Sequence, residues 1–245
     1  MLSVSRRLVA HAALSVAALA PVSAHAETGF GSEVYSAVVY KREIEGEVRY
    51  GQSLGGADAG EDVGVLELGY TPTNHFRIAA LAEFEREVGA PRKATALGIE
   101  GVLNLGRPAG IDVAVYGEYE LGLSGHPDAI ETKLLLERRA GRFDARVNLI
   151  AEKPLAAASP TELSYAASAD WRVAGEWKLG AAAFGELGTV SDFAPHADHY
   201  AGPVIKTAFP VGHHTLRLET GYLFALGKAR DDTDGQARVL LEFEL

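Results

Sequence analysis

Period-two alternation of apolar and charged residues dominates this chain and leaves little room for anything but β-strands. The segment ARVLLEFEL shows it most sharply. Ala237, Val239, Leu241, Phe243 and Leu245 fall on one side, and Arg238, Leu240, Glu242 and Glu244 on the other. Side chains alternate across a strand, so each such segment has one oily and one charged face. EIEGEVRY sets Ile44, Gly46, Val48 and Tyr50 against Glu43, Glu45, Glu47 and Arg49. HFRIAALAEFER sets Phe76, Ile78, Ala80, Ala82 and Phe84 against Arg77, Glu83 and Glu85. IDVAVYGEYELGL opposes Val113, Val115, Tyr119 and Leu121 to Asp112, Tyr116, Glu118 and Glu120. RFDARVNLIAEK and HTLRLETGYLFAL repeat the pattern, with Arg146 and with Arg217 and Glu219 on their charged sides. No amphipathic helix is visible after residue 26.

Counting such segments predicts about twelve strands of bilayer-crossing length, with ten also compatible. The expected spans are 36–50, 62–71, 75–87, 93–105, 111–123, 129–139, 142–153, 161–173, 176–188, 199–209, 213–227 and 236–245. Glu67 interrupts the second, and Pro203 sits badly in a central ladder in the tenth. Between the strands, longer loops (GQSLGGADAGE, EVGAPRK, SGHPD, PLAAASPT, TVSDFAPHAD, KARDDTDG) interleave strictly with short Gly/Pro turns (TPTN, GRPAG, AGR, VAGE, PVGH). Tight turns at one rim and longer loops at the other are what an up-and-down antiparallel barrel requires, whereas a sandwich has no reason for them. An even strand number places both termini at the short-turn rim. Residues 27–245 read as one barrel domain. Residues 1–26 read as a cleavable signal peptide, with Arg6 and Arg7, an apolar run from Leu8 to Ala20, and an Ala24-His25-Ala26 cleavage signal.

Alternation alone does not say which face meets water; a soluble barrel or sandwich would bury its apolar face. The aromatics decide for a membrane barrel. Tyr70, Phe76, Phe143, Trp171, Trp177 and Phe243 fall near the short-turn rim, and Tyr50, Phe84, Tyr119, Tyr165, Tyr200 and Tyr222 near the long-loop rim. Between them the same face is aliphatic, the pattern of two interfacial girdles around a hydrocarbon belt. The charged face then lines a lumen, where Glu131, Lys133, Glu137 and Arg139 can pair across strands. Ending on a strand is possible because closure against the first strand removes both sheet edges. ARVLLEFEL resembles the C-terminal strand of Gram-negative outer-membrane β-barrel proteins, although Leu245 stands at the end and the aromatic, Phe243, two residues earlier. VYGEYELGLSGHPDAIETKLLLERRAGRFDARVNLIAEKP and GYLFALGKARDDTDGQ are similar to uncharacterised alphaproteobacterial outer-membrane proteins. The resemblance implies an outer-membrane location and recognition of the last strand by the barrel-assembly machinery. It implies no activity.

Charge and composition narrow the partners. Without the two Arg of the signal segment the formal charge falls from −10 to −12, which argues against nucleic acid. No cysteine is present, so disulfides, thiolate nucleophiles and sulfur-ligated metals are excluded. Asp192, His196, Asp198 and His199 in one long loop are weak metal or acid–base candidates without the spacing of a known site, and a polar loop is the simpler reading. No cofactor and no metal is expected. The remaining functional surface is the lumen. Glu43, Glu45, Glu47, Glu83, Glu85, Glu100, Glu118 and Glu120 are opposed by Arg49, Arg77, Arg139, Arg146, Arg172, Lys178, Arg217 and Arg238, with Glu219 and Glu242 beside them. The expectation is a narrow passive channel for small hydrophilic solutes or ions. The alternatives are a non-conducting barrel whose lumen is closed by its own salt bridges and, less favoured, a barrel enzyme. Expected partners are outer-membrane lipid, lipopolysaccharide and small solutes or ions.

Overall fold

The computed structural model describes residues 30–193 and 198–245. The signal segment 1–26 and His196 lie outside the described residues. Twelve strands form one closed sheet: β1 (Ile44–Leu54), β2 (Asp62–Tyr70), β3 (Phe76–Arg86), β4 (Lys93–Gly106), β5 (Asp112–Gly122), β6 (Ala129–Ala140), β7 (Phe143–Pro154), β8 (Glu162–Ala174), β9 (Trp177–Thr189), β10 (Asp198–Val211), β11 (His214–Gly227) and β12 (Gly235–Glu244). Each pairs antiparallel with its neighbours in sequence. The ring is sealed by β1 on β12, in register from Glu45 opposite Glu244 to Leu54 opposite Gly235. Closure satisfies every strand edge, so the last strand needs no polar tail.

Pro203 is accommodated within β10. It pairs with Ala181 of β9, and the register against β11 is the same on both sides of it, Ala201 opposite Phe224 and Val204 opposite Gly221. Glu67 does not interrupt β2. It is buried on the inner face, between the guanidinium groups of Arg49 and Arg77.

The outer surface carries a continuous aliphatic belt that includes Val48, Leu66, Leu97, Leu134, Leu149, Leu179, Ile205 and Leu241, with Leu68 and Ile99 each 62% exposed. Apolar exposure on this scale is incompatible with water and fits hydrocarbon. Aromatic rings bound the belt. At the short-turn rim Phe143 faces Trp171 across β7 and β8, Trp177 meets Phe209 edge-on at 6.2 Å, and Tyr70 and Phe76 are exposed on β2 and β3. At the long-loop rim Tyr119 and Phe224 are exposed, and Tyr222 packs on Phe224 at 4.9 Å. Tyr200 departs from the girdle expected for it. It shares the inward parity of Val204 and is buried with Phe184 and Leu223. The neighbouring His199 takes the outward position and meets Tyr165 over Gly185.

Leu66→Arg, in the middle of the belt, should destabilise the refolded barrel by about 2–4 kcal/mol, the cost of a guanidinium facing the bilayer midplane. A denaturant titration in lipid vesicles against the unsubstituted protein measures it.

The first strand starts later than the alternation suggests. Residues 36–43 are not strand, and β1 begins at Ile44. Arg42 adopts a left-handed conformation (φ 74°), and its N–H donates to Thr71 O at 2.8 Å, while Thr71 N–H returns a bond to Glu43 O at 2.9 Å. This turn folds the preceding residues back into the barrel. Val34, Tyr35, Ala37 and Val39 pack against the inner wall, and these residues pair with no strand. At the short-turn rim Leu245 N–H reaches Ile44 O, while Phe30, the first described residue, lies level with Gly51 and Val63, in the long-loop half of the lumen.

Candidate functional site

The lumen is built from the inward residues of all twelve strands and from the segment 30–40, which threads it lengthwise. The structure puts Glu45, Glu47, Arg49, Arg77, Glu83, Glu85, Glu100, Glu118, Glu120, Glu131, Lys133, Glu137, Arg139, Arg146, Arg172, Lys178, Arg217, Glu219, Arg238 and Glu242 on the inside of the wall, with Glu43 at the short-turn mouth.

The threaded segment is clamped to the wall by polar side chains. Tyr35 N–H donates to Asn148 Oδ1 at 2.7 Å, and Asn148 Nδ2 donates back to Tyr35 O at 3.1 Å. This pairing satisfies the backbone of a buried residue as a strand neighbour would. Glu137 accepts from Ser36 Oγ at 2.6 Å and from Ala37 N–H at 3.1 Å. Asn104 Nδ2 donates to Ala37 O, and Arg238 Nη2 donates to Ser32 O at 2.7 Å. Apolar groups complete the fit. Phe30 packs on Val63, Val65 and Leu81; Val34 joins Phe184, Val204 and Leu223; Tyr35, Ala37 and Val39 join Val102, Tyr116 and Leu135. At Gly51 a side chain would collide with the Phe30 carbonyl, so the backbones meet where the wall is thinnest.

An ion-pair network ties the segment to β1–β5. Arg49 contacts Glu33 at 3.3 Å, Glu47 at 3.3 Å and Glu67 at 3.0 Å. Arg77 contacts Glu45, Glu67 and Glu100. Glu100 also accepts from the Tyr35 and Tyr116 hydroxyls at 2.8 and 2.9 Å. Each guanidinium thus serves several carboxylates, the arrangement its planar fork of donors allows. Among the described residues, Glu33, Glu47 and Glu67 form the one group of three carboxylates compact enough to hold a metal ion. The two arginines already fill it.

The segment divides the lumen into two cavities of opposite character. The turn-side cavity, about 440 Å³, mixes Arg139, Arg146, Lys178, Lys206 and Arg217 with Asp144, Asp170, Glu219 and Glu242. Most of these charges are paired: Lys206 sits 3.0 Å from both Asp170 and Glu219. The loop-side cavity, about 150 Å³, carries Glu83, Glu85, Glu118, Glu120, Glu131 and Glu152 against the single wall cation Lys133, with Arg49 at its floor.

Sequence reading missed the threaded segment and three charged residues of the inner wall, Glu67, Asp170 and Lys206. A signal was present. Leu81, Tyr116, Leu135, Phe184 and Leu223 are large apolar or aromatic residues on the charged face, which a water-filled lumen has no use for. All are buried. The Asp192–His199 loop does not assemble a catalytic or metal site from its described residues. Asp198 and His199 are adjacent on β10 and so point to opposite faces, and Asp192 remains in the loop, its N–H on Thr189 Oγ1 at 3.0 Å.

A closed twelve-stranded antiparallel barrel with an apolar outer belt and a charged interior is a transmembrane β-barrel of the outer-membrane type. Solved structures of similar architecture are outer-membrane porins and channels. The NanC porin superposes with a TM-score of 0.58 at 9% identity, covering 82% of this chain and 98% of that one. The KdgM porin in complex with disordered oligogalacturonate gives 0.55 at 8% identity, over 82% and 97%. An outer-membrane channel from Pseudomonas putida F1 gives 0.56 at 13% identity, over 84% and 96%. At such identities the likeness is one of fold. No family model and no curated protein matches the sequence.

Proposed function

We propose that this protein is a passive, non-enzymatic outer-membrane channel for small hydrophilic solutes or ions, exported by a signal peptide cleaved after Ala26. The observation that carries the reading is the lumen: two charged cavities open toward opposite rims, parted by a segment that is not part of the wall. A barrel meant only as a scaffold would gain more from filling that space with packed side chains. The shared fold with porins and channels supports the same conclusion. The outer leaflet's lipopolysaccharide and the assembly machinery are its expected contacts in the membrane. One observation favours a non-conducting barrel instead: the side chains of Asn104, Glu137, Asn148 and Arg238 all clamp the threaded segment.

Planar-bilayer recording of the refolded mature chain in a KCl gradient decides between them. Discrete steps with a cation-selective reversal potential are expected, because the loop-side vestibule is acidic. Replacing Glu83, Glu85 and Glu120 together by Gln should move that potential toward zero. Neutralising Glu45 and Glu47 should move it less, since Arg77 and Arg49 already compensate them. A bilayer that stays sealed around correctly folded protein, judged by heat-modifiable migration, would leave the non-conducting barrel.

A further inference from the structure

The acidic loop-side cavity shows unequal treatment of its charges. Elsewhere in the lumen carboxylates pair with arginines or with Lys206; here Glu83 and Glu85 of β3, Glu118 and Glu120 of β5, Glu131 of β6 and Glu152 of β7 share a cavity with a single lysine, Lys133, and with Arg49 at its floor. The position of that lysine is informative. The Lys133 ammonium is 2.8 Å from Glu131 Oε1 and sits 4.2 Å and 4.3 Å from the ring centres of Tyr116 and Tyr35. A carboxylate with two aromatic faces is a favourable seat for an alkylammonium.

Glu118 supplies the second observation. Its side chain is 7% exposed. One oxygen accepts the Tyr116 hydroxyl, while Oε1 is buried in the cavity wall with no hydrogen-bond partner. Gly98 makes room for it, since a Cβ there would collide with that oxygen. A buried carboxylate oxygen without a donor carries an uncompensated desolvation cost that a ligand N–H would recover.

Apolar residues also line the cavity, Val63, Val65 and Leu81 on β2 and β3, packed on Phe30, and Ile150 and Phe184 on β7 and β9, packed on Val34. A strongly hydrated metal ion has no use for that wall, and the carboxylates here are too spread to meet one ion: the compact triad lies below, filled by Arg49 and Arg77. Acids spread over β3, β5, β6 and β7, with apolar residues at either end of the set, match a molecule with two separated cationic groups on a hydrocarbon chain.

We propose that the loop-side cavity is a binding site for small alkyl diammonium ions, with Glu118 and Glu120 as the principal anionic contacts. The proposal rests on the channel reading, in which such a dication is a solute held on its way through.

The test is isothermal titration calorimetry of the refolded mature chain in detergent with 1,4-diaminobutane, alongside bilayer recordings from the same preparation. Saturable binding is expected, weakened at least tenfold in the Glu118→Gln/Glu120→Gln double variant. That variant removes like-charge repulsion and keeps side-chain volume, and heat-modifiable migration verifies its fold. MgCl₂ at equal ionic strength should not displace the diamine. Absence of saturable heat, unchanged affinity in the double variant, or full displacement by Mg²⁺ would each overturn the site. Glu118-dependent binding in a protein that leaves bilayers sealed would retain the site and sink the channel. Discrete conductance without saturable binding would do the reverse.

Discussion

Deleting residues 30–40, so that residue 29 leads directly to residue 41, should raise single-channel conductance several-fold and make the open state insensitive to voltage. The segment occupies the lumen from the level of Gly51 to that of Arg139, where Tyr40 Oη accepts from the guanidinium at 2.8 Å. Removing it merges two cavities now parted by Tyr35 and its neighbours. The wall should survive, because none of its inter-strand ladders includes these residues. The exposed patch of Val102, Leu135, Phe184 and Leu223 would cost some stability. A subtler variant separates plugging from packing. Asn148→Ala strips partners from the Tyr35 N–H and C=O, each loss worth about 1–3 kcal/mol when the group stays buried. The segment should leave its seat more often, seen as brief large openings in an otherwise small current. Conductance unchanged by both variants would mean that the segment does not limit the pore.

Arg77→Met should lower the unfolding free energy by about 3–5 kcal/mol, the cost of leaving buried charge without its counter-ion. Arg77 alone joins β1, β2 and β4 through Glu45, Glu67 and Glu100, and the Glu67 and Glu100 side chains are shielded from solvent. Arg49 remains for Glu67, but Glu45 keeps no partner among the described ion pairs. Arg217→Met is the control. Its side chain is 43% exposed at the short-turn mouth beside Glu242 and Glu244, where an ion pair contributes about 0–1 kcal/mol. Urea titrations of both variants in the same vesicles measure the difference. Equal midpoints would show that the buried network is dispensable to the barrel.

The period of two determined the barrel. A strand has no other way to present one face to lipid and one to a lumen, and strict interleaving of tight turns with longer loops leaves up-and-down closure as the topology. Parity likewise told which residues share a face, so Glu118 could be grouped with Glu120, and Tyr119 with Leu121, from the letters alone. What parity cannot express is what stands in front of a face. VYSAVVY has the composition of a strand, and its hydrogen bonds go to Asn148 and Glu137, a hundred positions or more away, so only folding reveals it as a lumen segment. Tyr200 was misread for a related reason. An aromatic at the right height fits a girdle or a core cluster equally well, and only its parity, opposite to the outward Ile205 and Phe209, tells which side Tyr200 takes. Pairing was the other hidden quantity. Glu67 looked like a break in an oily strand because Arg49 and Arg77, which make it welcome inside, come from the strands on either side. Composition and spacing set the architecture because backbone geometry is local. The division of the lumen, and the contrast between its paired and unpaired charges, arose only when distant residues met across a closed wall.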